Sequence, residues 1–163
     1  MDDDRLSADI RLRDMVKADL PTFFEHQLDP VAGHMVAFTV EDPSDRVAFD
    51  ARWAEVLADD SITKKTILVD GQVAGRVVAF EQFGRPSVGY WLGREFWGRG
   101  IATRALAEFL TLIPTRPLYA RAASDNVGSI RVLEKCGFIR HGTDRGYAYA
   151  RAAEIDEVIL ILR

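Results

Sequence analysis

The spacing of apolar residues along the chain predicts seven strands. Alternation in "DIRLRDM" (residues 9–15) predicts the first strand. Two apolar runs in "KKTILVDGQVAGRVVAFEQF" (64–83) surround Asp70-Gly71, which is a strong signal for a hairpin turn. "PSVGYWLGREF" (86–96) predicts the fourth strand. The remaining three strands are expected in "LYARAA" (118–123), "FIRHGTDR" (138–145) and "EVILILR" (157–163).

Four other segments carry apolar residues three or four positions apart, as amphipathic helices do. In the first of these segments Asp19 can cap the helix, and Pro21 suits its first turn. Residues 29–43 hold two prolines and a glycine, and we expect them to be irregular. The four helical segments are "VKADLPTFFEHQLD" (16–29), "PSDRVAFDARWAEVLADD" (43–60), "GIATRALAEFLTLI" (100–113) and "SDNVGSIRVLEKCGF" (124–138).

The order of these elements predicts an α/β (α+β) fold with a mixed central sheet of about seven strands, flanked by about four helices. A chain of 163 residues is long enough for one well-packed core. We therefore expect residues 1–163 to form a single domain, with residues 1–8 as a loose tail.

Composition narrows the functional classes. The net charge of −4 disfavours a general nucleic-acid-binding role, which needs a dense basic surface. No apolar run approaches the roughly 18 to 20 residues of a membrane helix. The single cysteine, Cys136, excludes an intramolecular disulfide and fits a cytoplasmic location. The acidic start "MDDDRLSADI" does not resemble a secretory signal, and the three scattered histidines give no metal-ligand spacing, so no metal is expected.

The stretch "EFWGRGIATRAL" (95–106) places a glycine-rich turn between a predicted strand and a predicted helix. The first amides of a helix lack internal partners, and the helix dipole adds partial positive charge there. Gly98 and Gly100 would let a diphosphate approach the backbone, and Arg99 adds a full charge. A flexible turn that caps the helix explains the same spacing, so the spacing alone does not distinguish an anion-binding turn from a capping turn. The pattern is neither a Walker loop nor a dinucleotide-binding fingerprint.

Two motifs together carry a family resemblance. "VGYWLGREFWGRGIATRAL" (88–106) followed by "ASDNVGSIRVLEKCGF" (123–138) resembles the GNAT superfamily of acetyl-CoA-dependent N-acyltransferases, and most closely its ribosomal-protein N-terminal acetyltransferase branch. The phosphate loop of that family reads Gln/Arg-x-x-Gly-x-Gly/Ala. Gly100 and Ala102 match its last two positions, whereas Trp97 replaces Gln or Arg, as is frequent in this branch.

The resemblance implies how acetyl-CoA would bind. Amides of the glycine turn would hold the pyrophosphate, and the strand "GYWLG" (89–93) would splay from the next strand so that its edge pairs with the pantetheine arm. Lys135 and Arg131 would reach the 3′-phosphate or form a solvated helix face. The cofactor-binding residues implied in this way are Trp91, Leu92, Gly98, Arg99, Gly100, Ile101, Ala102, Thr103 and Asn126.

The same resemblance indicates catalytic candidates. Ser129 matches a serine near the cofactor sulfur and is a candidate acid for the leaving thiolate, whereas Leu133 stands where many relatives carry a tyrosine acid. Glu81 is the first candidate for a general base, followed by Glu95 and His141, and water is the alternative. The same residues are also compatible with purely structural roles: Asn126 or Asp125 as a helix cap, Ser129 as a packing residue, and Glu81 as a solvated carboxylate.

These features predict an N-acetyltransferase that moves an acetyl group from acetyl-CoA to a primary amine by direct attack in a ternary complex. The acceptor would be a protein N-terminus or a small molecule. Two alternatives stay open at this point: a non-catalytic acyl-CoA-binding or regulatory domain, and a transferase that uses another acyl-CoA. The expected partners are the coenzyme A thioester and the amine, without nucleic acid or membrane, and a homodimer is left open.

Overall fold

The computed structural model describes residues 8–163, which form a seven-stranded sheet in the order β1-β2-β3-β4-β5-β7-β6. Every pair of neighbouring strands is antiparallel except β4 and β5, which are parallel. The predicted mixed sheet is therefore confirmed. The strands are β1 (Ile10–Asp14), β2 (Thr63–Val69), β3 (Gln72–Gln82), β4 (Arg85–Leu92), β5 (Leu118–Ala123), β6 (Ile139–Ala148) and β7 (Ala153–Leu162).

Five α-helices flank the sheet, one more than the sequence predicts. They are α1 (Leu20–Leu28), α2 (Pro30–Val36), α3 (Arg46–Ala58), α4 (Ile101–Leu112) and α5 (Val127–Lys135), and short 3₁₀ turns cover Lys17–Asp19, Arg94–Phe96 and Tyr149–Arg151. The expectation that residues 29–43 are irregular is wrong for α2. This helix has seven residues and buries only Ala32, so it shows little periodicity; it begins because Asp29 caps Val31 N at 3.0 Å and Pro30 fits the first turn.

The predicted loose tail, residues 1–8, lies almost wholly outside the described residues. Only Ala8 is described, and its carbonyl accepts a hydrogen bond from Arg104 at 3.2 Å.

Asp19 does not cap α1 with its side chain, contrary to the sequence-based expectation. The carboxylate is buried and accepts hydrogen bonds from the Arg13 guanidinium at 2.7 and 2.8 Å, from Thr66 Oγ1 at 2.7 Å and from Val16 N at 3.0 Å. Burial opposes ionisation, but these hydrogen bonds outweigh it and lower the pKa of Asp19. The residue ties β1, β2 and the start of α1 together.

The sheet separates two cores, because successive strand residues point to opposite faces. On one face, Val77 and Tyr90 pack in the larger core with α4 and α5. On the other face, Val78 packs against a smaller core built around Phe23 and Trp53 of α1 and α3. β3 and β4 therefore each direct alternate side chains toward the two cores.

β4 and β5 diverge soon after they meet. Only Ser87 and Tyr119 pair between them, whereas every residue of β4 pairs with β3, and β5 pairs with β7 from Leu118 to Ala123. The β5-facing edge of β4 from Val88 to Leu92 is thus free of strand partners. The splay that the resemblance implied is confirmed.

Candidate active site

A cleft of about 570 Å³ opens where β4 and β5 separate. It draws its walls from α2, β4, the turn after β4, α4 and α5. Most of the predicted cofactor residues and one predicted catalytic residue line it: Trp91, Leu92, Gly98, Gly100, Ile101, Ala102, Thr103, Asn126 and Ser129. Sequence reasoning did not single out five other lining residues: Met35, Val36, Tyr90, Gly128 and Val132.

The glycine turn is built on left-handed backbone. Gly98 has φ 71° and Gly100 has φ 73°, a conformation that side chains disfavour. A Cβ at either position would meet nothing within 4 Å, so backbone conformation and not packing requires glycine. Gly100 is the N-cap of α4 and supplies no side chain to its first amides. Those amides are available to an anion at the end of the cleft.

Trp97 fixes this turn to the end of β4. Its indole Nε1 donates a hydrogen bond to the carbonyl of Leu92 at 2.8 Å. The carbonyl of Leu92 is therefore already engaged, and the indole gives a structural role to the residue that replaces Gln or Arg in the motif. Arg99 is not among the cleft-lining residues; its guanidinium lies 6.0 Å from the centre of the Phe96 ring.

Asn126 acts as a helix cap and also lines the cleft. Its Oδ1 accepts a hydrogen bond from Ser129 N at 3.2 Å, which makes it the N-cap of α5 and excludes Asp125 from that role. Because the oxygen is used by the helix, the amide nitrogen of Asn126 is the side-chain group left for a ligand.

The Ser129 hydroxyl is contacted by a second hydroxyl in the cleft. Tyr90 Oη lies 3.2 Å from Ser129 Oγ and donates to it. Burial raises the pKa of Tyr90, although the contact with Ser129 lowers it in part. Tyr90 therefore keeps its proton at neutral pH.

The charge of the cleft is positive. Arg131 and Lys135 line it, and no aspartate, glutamate or histidine does so among the described residues. The two cations are four residues apart on α5, which puts them on one face of the helix. A local basic wall in an acidic chain fits a polyanionic ligand.

The three sequence-predicted bases lie away from the cleft. Glu81 is exposed on β3 opposite Pro86, four strand positions, or about 13 Å, from the level of Tyr90. Glu95 lines a separate depression beside His26. His141 is exposed on β6, with its ring 6.0 Å from that of Tyr119. Leu133, at the position of the relatives' tyrosine, is buried in the larger core.

Behind Trp91, on the α1 and α3 face, three buried polar atoms have no hydrogen-bond partner within residues 8–163: His26 Nδ1, Arg76 Nη1 and Trp91 Nε1. The guanidinium of Arg76 lies 4.7 Å from the ring of Trp53 and 5.3 Å from that of Trp91. Burial lowers the pKa of Arg76 to about 9, yet the group stays a cation at neutral pH. Burial, and then the nearby charge of Arg76, lowers the pKa of His26.

Two kinds of feature are absent from residues 8–163. No group of three or more His, Cys, Asp or Glu side chains is arranged to hold a metal ion there. None of the helices in that range is long and apolar enough to cross a membrane.

The chain is similar to known acetyltransferases in both sequence and structure. The profile described as "Acetyltransferase (GNAT) domain" matches residues 9–139. Over 99 residues the chain is 31% identical to "Uncharacterized N-acetyltransferase p20" of Bacillus licheniformis, covering 58% of this chain and 55% of that protein, about half its length. Over 132 residues it is 29% identical to "Putative ribosomal N-acetyltransferase YdaF" of Bacillus subtilis (strain 168), covering 74% of this chain and 72% of that protein. A crystal structure titled "Probable acetyltransferase" is 26% identical, with a TM-score of 0.76 and coverage of 96% and 94%.

Proposed function

This chain belongs to the GNAT acetyltransferase family, and we propose that it transfers the acetyl group of acetyl-CoA to a primary amine by direct attack in a ternary complex. The family resemblance read from the two motifs is thereby confirmed. The observation that carries the proposal is the gap between β4 and β5, which pair only at Ser87 and Tyr119 and leave a cleft that ends at the glycine turn.

We place acetyl-CoA along the length of this cleft. Amides from Gly98 to Thr103 at the start of α4 would hold the pyrophosphate, and Arg131 and Lys135 would add charge beside it. The pantetheine arm would lie along the free edge of β4, past Trp91, with the amide nitrogen of Asn126 facing it. Arg99, outside the lining, would act through its charge near the turn.

The reaction requires both sides of the sheet. Met35 and Val36 of α2 bring an apolar wall to the cleft opposite the one formed by α4 and α5. An amine entering along α2 would meet the thioester in the gap, and holding both reactants in line supplies much of the rate. A backbone amide of β4 near Trp91 or Leu92 would stabilise the oxyanion. Ser129 would then donate a hydrogen bond to the departing thiolate.

The amine must lose a proton, and none of the cleft-lining side chains within residues 8–163 is a carboxylate or an imidazole. We therefore assign deprotonation to water, which favours amines that are partly neutral at physiological pH. A protein α-amine, with a pKa of about 7.7–8.0, is favoured over a lysine with about 10.4. The α-amine of a protein N-terminus is the first proposed acceptor, and a small amine of low pKa is the second.

Thiol release from acetyl-CoA tests this function with two peptides of one sequence. One carries a free N-terminus and no lysine; the other is N-terminally blocked and carries one lysine. The free α-amine is expected to react roughly 300-fold faster at pH 7, because its neutral fraction is larger by about that factor. Silence with both peptides, with a polyamine and with an aminoglycoside would contradict transferase activity, whatever the affinity for coenzyme A.

Two variants test the roles proposed for side chains. Ser129→Ala is expected to lower kcat by about 10-fold, the effect of one hydrogen bond to a charged group, while the exposed Ser124→Ala serves as the matched control. Glu81 stays the sequence-based candidate base. If water takes the proton, Glu81→Gln keeps the wild-type pH dependence of kcat/KM. A lower kcat/KM together with loss of the limb that falls at low pH, where a carboxylate base becomes protonated, would return the base role to Glu81.

Three wider expectations stay proposals. A single domain over residues 1–163 predicts one cooperative unfolding transition. A cytoplasmic location is tested by cell fractionation, and homodimer formation by sedimentation at several protein concentrations.

A further inference from the structure

Two hydroxyl groups from distant parts of the chain meet inside the cleft. Tyr90 belongs to β4 and Ser129 to the first turn of α5, 39 residues later, and their side-chain oxygens are 3.2 Å apart. Both residues line the space between the strands. The pair lies on the face of the sheet that packs against α4 and α5, where Tyr90 contacts the larger core.

The direction of this hydrogen bond follows from the acidity of the two groups. A phenol is a stronger acid than an alkyl hydroxyl, so Tyr90 donates and Ser129 accepts. Burial keeps Tyr90 protonated by raising its pKa. Ser129 Oγ has no other hydrogen-bond partner within residues 8–163, so its own hydrogen is free to point into the cleft. The bond from Ser129 N to Asn126 fixes the first turn of α5 in place.

We propose that Tyr90 is a positioning residue that holds and polarises the Ser129 hydroxyl so that it donates to the sulfur of the departing thiolate. The inference rests on the proposed acetyl transfer. Hydrogen bonds in series strengthen one another, so donation from Tyr90 makes Ser129 a better donor. As the C–N bond forms and the C–S bond breaks, the electron pair moves to sulfur. Tyr90 and Ser129 keep their protons, the nitrogen that has attacked the carbonyl loses one to water to leave a neutral amide, and the thiolate takes one from water.

The kinetic test uses Tyr90→Phe, which removes the hydroxyl and keeps the ring that packs in the core. The variant is expected to lower kcat about 5- to 10-fold and to change KM for acetyl-CoA less than about 2-fold. Ser129→Ala is expected to lose at least as much, and Tyr90→Phe combined with Ser129→Ala no more than Ser129→Ala alone. Tyr147→Phe, at an exposed tyrosine on β6, is the control and is expected to leave kcat unchanged.

A wild-type kcat in Tyr90→Phe, or losses that multiply in the double variant, would overturn the proposal. A second readout needs no turnover: the ultraviolet absorbance of the thiolate of bound coenzyme A, followed against pH. Tyr90→Phe and Ser129→Ala are each expected to raise the pKa of that thiol by roughly 0.5 to 1 pH unit. An unchanged thiol pKa in Tyr90→Phe contradicts the positioning role. The expected shift together with silence toward every amine supports this role and contradicts the transferase function.

Discussion

The two faces of the sheet differ at the cleft. On the α4 and α5 face the polar side chains have partners: Tyr90 donates to Ser129, and Asn126 caps α5. On the α1 and α3 face, His26, Arg76 and Trp91 each bury a polar atom without a partner in the described part of the chain.

On the α4 and α5 face, hydrogen bonds fix the positions of the polar side chains. On the α1 and α3 face, buried polar atoms without partners carry a desolvation cost. Buried polar groups are nearly always hydrogen-bonded, so three exceptions in one neighbourhood mark the α1 and α3 face as the less satisfied one. The α4 and α5 side of the cleft is preorganised by hydrogen bonds within the chain. The α1 and α3 side is shaped chiefly by aromatic packing around the buried cation Arg76.

The largest expected effect comes from placing a side chain where the backbones of β3 and β4 approach closely, at Gly75. A Cβ on Gly75 would lie 2.2 Å from the carbonyl oxygen of Trp91, so Gly75→Ala must push β3 and β4 apart. We expect a loss of at least about 3 kcal/mol in the free energy of unfolding, measured in urea. Gly89→Ala on β4 is the control, because its Cβ would meet Phe80 at an ordinary 3.6 Å. Equal losses in the two variants would refute the contact argument.

Two arginines on the α1 and α3 face test what an anionic partner contributes there, because Arg13, Thr66 and Arg76 are register partners. Arg13 pairs bidentately with buried Asp19, and Arg13→Met leaves that carboxylate unpaired, at an expected cost of about 3 kcal/mol. Arg76 has no anionic partner among residues 8–163, so Arg76→Met is expected to leave the free energy of unfolding unchanged or to raise it by about 1 kcal/mol. Urea denaturation at pH 7 compares them. A large destabilisation by Arg76→Met would mean that the aromatic stack itself stabilises the fold.

The pH dependence of stability should report the same ion pair. The folded-state pKa of Asp19 is lowered, so its contribution is present above the unfolded-state value of about 3.9 and is lost as pH falls through the folded-state value. The difference in unfolding free energy between wild type and Asp19→Asn should therefore shrink from pH 5 to pH 2. A difference that is constant over this interval would show that the charge of Asp19 does not stabilise the fold.

Only a small loss of stability is expected at the glycine turn. Gly100→Ala places a side chain at φ 73° and should cost about 1 kcal/mol in unfolding free energy, while weakening coenzyme A binding. Gly142→Ala, on edge strand β6 and equally free of clashes, is the matched control. Calorimetric titration with coenzyme A measures the binding effect. Unchanged affinity in Gly100→Ala would separate the turn from the ligand.

Much of the fold was predictable because its signals are local. Asp70-Gly71 marks the hairpin between β2 and β3, and the structure places it there. Gly98 and Gly100 mark a turn whose φ values only glycine adopts freely. By contrast, α2 escaped prediction because seven residues with a single buried side chain carry almost no periodicity.

The parts of the site that escaped prediction depend on contacts between distant elements. Tyr90 meets Ser129 only because β4 and α5 converge, and a pattern within either segment does not show this. The sequence predicts that Asp19 caps a helix, yet in the folded chain Arg13 and Thr66 donate hydrogen bonds to its carboxylate. The position of Glu81 on its strand makes it a candidate base in the sequence, but its pairing with Pro86 places it four strand positions from the level of Tyr90.

A crystal structure of the protein with acetyl-CoA tests the central claim most directly. We expect the pyrophosphate on the amides between Gly98 and Thr103, the pantetheine arm between β4 and β5, and the thioester sulfur within hydrogen-bonding distance of Ser129 Oγ. A complex in which acetyl-CoA binds elsewhere, with the gap between the two strands filled by side chains, would contradict the account.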